Sequence, residues 1–198
     1  MTDNRGRPFD TALDEAILAT AKAFLEENGF DGLTVSEIVE RAGTTRSAFY
    51  RRYASLVEMI TDLYLHEFPR HLDREFDTGS LVSDLRAAQE DQLAFFAAPM
   101  VYHAHAGFLG RLGEDSEARR FFMGQFVLPR RASVERIIDR AVQRGEIDPP
   151  QDVGAICDLM AAPFLLRIMM PELGPLDDSL LELTVAQAAA ALGVSASQ

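Results

Sequence analysis

The chain has no tryptophan, one cysteine and, among nineteen basic residues, one lysine, Lys22. The lone thiol, Cys157, excludes an intramolecular disulfide and fits a reducing, cytoplasmic compartment. The shortage of lysine carries no weight, because coding bias accounts for it as well as function does. No run approaches the roughly 18 apolar residues that a membrane-spanning helix needs, so no membrane partner is expected. Residues 1–8 are polar and basic with no apolar segment behind them, which predicts no secretory signal. No stretch alternates apolar and polar residues persistently enough for a strand. There is no glycine-rich phosphate loop and no serine elbow. The four histidines do not form a metal pattern. His103 and His105 stand two apart, about 200° around a helix, whereas a helical metal pair sits at i, i+4. Neither catalysis nor a cofactor nor a metal site is expected.

What is present is helical. The 198 residues are 47% hydrophobic and 25% charged, enough for one domain or two small ones sharing a core. The net charge is −12 and the pI about 4.7. A protein that coats nucleic acid by bulk attraction should be basic. One segment breaks the acidic pattern: between Arg41 and Val57 there are four arginines and no acid. It lies inside TVSEIVERAGTTRSAFYRRYAS, residues 34–55. Thr34 and Glu37 form a capping box, with Leu33 and Ile38 placed as a hydrophobic staple. Val35, Ile38, Val39 and Ala42 share one face. Gly43 sits where a left-handed residue ends a helix. Thr44 or Thr45 caps the next helix, which carries Arg46, Arg51 and Arg52 with Phe49 and Tyr53 packed inward. Ser55 and Glu58 repeat the capping box. Helix, tight turn, helix is the helix-turn-helix pattern, over about 34–53, whose second helix can enter a major groove.

Asp10 or Thr11 caps a first helix running to about Asn28, with Leu13, Ile17, Phe24 and Leu25 in one stripe. Arg5 and Arg7 are placed for a minor-groove arm. A helix from Ser55 to about Phe68 leads into the rest of the chain. The turn-rich Asp77–Ser80 is the natural domain break. Further helices are expected from Ser80 to about Ala98, with Gln92 as a half-buried amide, and from Met100 to Leu112, closed by Gly113. A long one from Asp115 or Ser116 to about Arg144 should kink at Pro129. The last two run from Asp152 to about Met170 and, capped by Ser179, over Leu180–Leu192. The fold class is all-α, with about nine helices.

Residues 10–68 resemble the TetR/AcrR transcriptional regulators. The likeness rests on LTVSEIVERAG, TTRSAFYRRY and the Ser-capped helix after them, at the family's spacing from the first helix. RAVQRGEIDP, a helix carrying PFLLRIMM and an alanine-rich last helix are similar to one subgroup's ligand-binding domains. The resemblance implies a DNA-binding domain over 1–68 and a ligand-binding and dimerisation domain over 69–198. It implies a homodimer, joined through the last two helices, that binds a palindromic double-stranded DNA operator and is released by a small molecule. Carried over by position, base reading falls on Ser36, Arg46, Ser47, Ala48, Tyr50 and Arg51, and phosphate contact on Thr34, Thr45, Tyr50 and Arg52. One position departs: the family's lysine just after the fourth helix cap is Leu56 here. Arg52 or the Arg5/Arg7 arm would replace that phosphate contact. The body's aromatics and methionines predict a pocket for an apolar, flat effector, drawn from Phe95, Tyr102, His103, Phe122, Met123, Phe126, Met160 and Phe164. Arg167 is either a polar anchor in that pocket or part of a structural ion pair. A DNA-bending scaffold without ligand is the rival reading, disfavoured by the acidic charge and by the size of the body.

Overall fold

A computed structural model describes residues 11–69 and 74–195, and all regular structure among them is helical. The Arg5/Arg7 arm lies outside the described residues. The N-terminal elements are α1 (Thr11–Asn28), α2 (Val35–Arg41), α3 (Arg46–Tyr50) and α4 (Leu56–Glu67). The body comprises α5 (Leu81–Ala97), α6 (Pro99–Glu114), α7 (Ser116–Phe122), α8 (Leu128–Gln143), α9 (Val153–Met169) and α10 (Asp178–Ala191).

Local chemistry sets most boundaries. The Thr34 hydroxyl accepts from the Glu37 amide, Thr45 from Ala48 and Ser55 from Glu58, each at 3.2 Å. The Glu58 carboxylate reaches back to the Ala54 amide at 2.8 Å, closing the box one residue earlier than its usual target. Gly29 and Gly43 end α1 and α2 at φ +67° and +65°. Two boundaries differ from expectation. Helix α6 runs through Gly113 to Glu114, and Asp115 both ends it and caps α7. Helix α10 is capped by Asp177, which accepts from the Leu180 amide at 3.1 Å, rather than by Ser179. The Asp177-Asp178-Ser179 run offers three adjacent caps, and the first one wins.

Pro129 does more than kink its helix. Its missing N–H and bulky ring cannot be fitted into a regular α-turn over residue 125. The chain widens into a π-helical turn, Met123–Val127, in which the Leu128 amide bonds the Met123 carbonyl. Helices α7 and α8 are thereby one rod with a bulge.

Helix α10 packs along α5 and α9, which with α8 form the lower body; α1 packs along α6. Gln89 and Gln92 of α5 both donate to the Met160 carbonyl of α9, at 3.0 and 2.9 Å. Gln92 is thus the half-buried amide expected, but Gln89, which also donates to Thr184, is the fully buried one. Helix α4 crosses from the N-terminal part to α6, α7 and the π-turn. At that crossing Tyr64 meets Phe95, Phe108 and Phe126, ring centroids 5.3–5.7 Å apart. Tyr64, Phe95 and Phe108 are each no more than 1% exposed. Burying each such ring is worth about 1.5–3 kcal/mol, so this cluster anchors the fold.

Candidate nucleic-acid interface and effector cavity

The face built by α2, α3 and the turns around them presents Thr34, Thr45, Arg46, Ser47, Tyr50 and Arg51 to solvent, with Ser36 half-buried beside them. Tyr50 is 56% exposed, held edge-on by Phe49 with ring centroids 5.5 Å apart. Arg46 donates to the Ser36 hydroxyl, tying the two helices of the motif together. Phe49 and Tyr53 are core, and the Tyr53 hydroxyl donates to Asp62 at 3.1 Å. The edge carries a fork-shaped cation, hydroxyls and a phenol over a packed apolar base, groups able to hydrogen-bond phosphates and base edges.

Two of the expected contacts are corrected. Ala48 is 7% exposed and faces the core, so its methyl is withdrawn from any base. Arg52 turns away from the exposed edge: its side chain is 8% exposed, pairs with Asp14 of α1 and donates to the Ala48 carbonyl at 3.3 Å. The regular part of α3 ends at Tyr50, and the turn after it swings Arg52 back toward α1. Arg52 is therefore a brace, not a phosphate anchor. Arg52→Ala should cost about 1–3 kcal/mol of stability in denaturant unfolding, the range for a charged hydrogen bond. The salt dependence of DNA binding by the folded protein should stay that of the wild type.

The second feature is a cavity of about 160 Å³ between α5, α6, the π-turn, α8 and α9. Phe95, Phe122, Phe126 and Met160 line it. The other four expected pocket residues do not. Tyr102 and Met123 are 36% and 38% exposed, and His103 is exposed on the same outer side of α6 as Tyr102. Phe164 is fully buried and stacks behind Phe96 at 5.9 Å. Helical periodicity marks which residues are apolar, but not which of several apolar faces meet around a void. Among the described residues Arg167 lines no cavity and makes no ion pair: it donates to the Leu173 carbonyl and closes the turn after α9.

Several lining residues were not assigned to the pocket from the sequence: Gln92, His105, Arg130 and Cys157. His105 is 3% exposed, and burial, aided by the neighbouring Arg130 charge, pushes its pKa down to about 3, so it is neutral near pH 7. Its Nδ1 lies 3.4 Å from the Tyr64 hydroxyl. Burial likewise raises the Tyr64 phenol and the Cys157 thiol, leaving both protonated. The cavity wall and helix α4 thus share a polar contact. The sequence signal for Arg130 is its position four residues after Phe126, which puts the guanidinium over that ring.

Comparison with known proteins converges on one group. Residues 17–61 match the family model for bacterial regulatory proteins, tetR family. Residues 76–188 match the model for the tetracyclin repressor-like C-terminal domain. An uncharacterised HTH-type transcriptional regulator of Bacillus subtilis, YdeS, is 29% identical over 170 residues, 86% of this chain and 85% of its own. The DNA-binding transcriptional repressor TetR of Mycobacteroides abscessus is 26% identical over 164 residues, 83% of this chain and 85% of its own. Among solved structures, the TetR family transcription regulator SCO0332 superposes with TM-score 0.68 at 21% identity, covering 88% of this chain and 95% of its own. FadR of Bacillus subtilis, in complex with stearoyl-CoA, does so with TM-score 0.60 at 16% identity, covering 89% and 97%. The structural likenesses show the fold.

Proposed function

The chain belongs to the TetR family of DNA-binding transcriptional regulators, and on that premise we propose that it is a cytoplasmic repressor released from its operator by a small effector. The operator is palindromic, and the protein meets it as a homodimer. Residues 1–68 read the DNA, and residues 69–198 bind the effector and form the dimer.

The observation that carries this reading is the shared contact between cavity and lever. His105 lines the cavity and touches Tyr64, which stands on the helix leading straight out of the helix-turn-helix. A ligand that shifts His105 or the rings around it biases α4, and α4 sets the spacing of two recognition helices in a dimer. Those must lie about 34–36 Å apart to meet successive major grooves. A differential affinity of about 1–3 kcal/mol between the two settings suffices for regulation. The cavity's volume is close to the roughly 150 Å³ of an engineered void that binds benzene. That favours one ring or a short branched chain as effector, not a long acyl thioester of the kind bound by FadR.

Dimerisation through α9 and α10 is supported by their outer faces. Leu159, Ala162, Leu166 and Met169 form one exposed stripe on α9, and Leu183, Gln187 and Ala190 one on α10. Leu166, Met169 and Leu183 are 48%, 54% and 52% exposed in the single chain. Such a run of apolar side chains, level with small alanines, suits a second copy of itself about a two-fold axis.

Base reading is assigned to Arg46 and Arg51. Arg46→Ala should reduce preference for the operator over random duplex by about 1–3 kcal/mol, roughly 5- to 150-fold, in competition binding. Binding to random duplex should change far less. An Arg46→Ala protein that keeps full preference would contradict the assignment.

A further inference from the structure

The cavity wall carries charge of one sign. Arg130 and Arg131 line it and, among the described residues, no carboxylate does, although the chain has 31 acids against 19 bases. Arg131 is engaged, donating to Asp158 at 2.5 Å and to the Gly154 carbonyl at 2.9 Å. Arg130 is not. Its guanidinium is clasped by the faces of Phe95 and Phe126, 5.0 and 5.1 Å from their centroids. Its Nη2 reaches the Gln92 amide oxygen only at 3.5 Å, and its buried Nη1 has no hydrogen-bond partner among the described residues. Asp91 attracts it through space, and the Asp91 Oδ1 accepts from Arg74 at 2.6 Å. Burial lowers Arg130 to about 10, so it is charged at neutral pH.

A cation withdrawn from water and left with an unmade bond is costly unless something completes it. The two rings flank the guanidinium, and its unpartnered Nη1 is an unmade bond on a wall that otherwise mixes aromatic and aliphatic side chains with Gln92, His105, Arg131 and Cys157. We propose that the effector is a small ring-bearing monocarboxylate, its carboxylate bonded to Arg130 and its ring set against Phe122 and Phe126. Those two rings stack on each other at 5.3 Å and 16°, so a ligand ring would extend an aromatic stack already in place. The inference rests on the effector reading above and narrows it to an anion.

One competing account is specific. A second void of about 30 Å³ borders Arg130 and Gln89, whose Oε1 also lacks a partner. A single water there would satisfy both groups, and carboxylates would then gain nothing. Titration of the full chain with 4-methylbenzoate and 4-methylbenzamide, by calorimetry and thermal shift, separates the two. The carboxylate should bind about tenfold or more tighter than the amide, as expected of a charged hydrogen bond. Arg130→Met should erase that preference while keeping amide binding. Should that variant not fold, the wild-type comparison decides alone. Equal affinities in the wild type, or a preference that persists in Arg130→Met, overturn the carboxylate and leave the apolar-effector reading standing. Failure of both compounds to bind at millimolar concentration overturns both.

Discussion

Glutamate at both Leu166 and Leu183 should yield a folded monomer whose operator affinity is weaker by about 10²–10⁴-fold, the usual gain from linking two binding modules. The two leucines are half exposed in the single chain, so replacing them removes little of its own core. Around a two-fold axis each substitution occurs twice, and the glutamates of the two copies would face one another across an apolar seam. Burying such like charges is prohibitive, and the copies separate. Each monomer still carries Arg46, Tyr50 and Arg51 on its exposed edge, so weak half-site binding survives. Sedimentation and operator titration on the same preparation read both effects. A variant that remains dimeric would move the interface elsewhere on the body.

Gly29→Ala should cost about 2–5 kcal/mol, a large share of the roughly 5–15 kcal/mol by which a domain of this kind is stable. Two penalties add. Gly29 has φ +67°, where a side chain strains the backbone, and a Cβ there would stand 2.8 Å from the His103 carbonyl oxygen of α6. The second penalty is not relieved by a rotamer change, because the obstacle is backbone. Gly43 has nearly the same φ, +65°, but open space around it. Gly43→Ala should therefore show only the strain, about 1–2 kcal/mol. The difference between the two variants in thermal or denaturant unfolding isolates the close approach of α1 to α6. Gly107 belongs to the same seam, since its Cβ would meet Phe30 Cβ at 2.8 Å. This seam crosses the boundary drawn near residue 68, so the reader is fastened to the body by more than α4. Variants that loosen it should also weaken communication between effector and operator.

The helices and their caps were legible in the sequence because their causes are local. Thr34, Thr45, Ser55 and Asp152 cap where a hydroxyl or carboxylate precedes an apolar-periodic run. The exposed reading edge followed from the same local grammar, with Phe49 and Tyr53 spaced to pack and Arg46 left outside. What could not be read depends on partners distant in sequence. Arg52 has the composition of a phosphate contact, and only the placement of Asp14, 38 residues away, makes it internal. Pro129 announced a break, but whether the chain would bend or widen to a π-turn depends on what α4 packs against it. Tyr102, His103 and Met123 share the apolar and aromatic character of Phe122 and Phe126, yet lie on the outer sides of their helices. Arg130 carried no assignment in the sequence. Its burial comes from Phe95 and Phe126, which belong to two different helices.

Selection from a pool of random duplexes tests the central claim most directly. The wild-type chain should enrich an inverted repeat whose half-site centres lie one helical turn, or a multiple of it, apart. Replacing Arg46 and Arg51 together by alanine should abolish the enrichment. A wild-type protein that recovers no common sequence, or a double variant that recovers the same one, would contradict it.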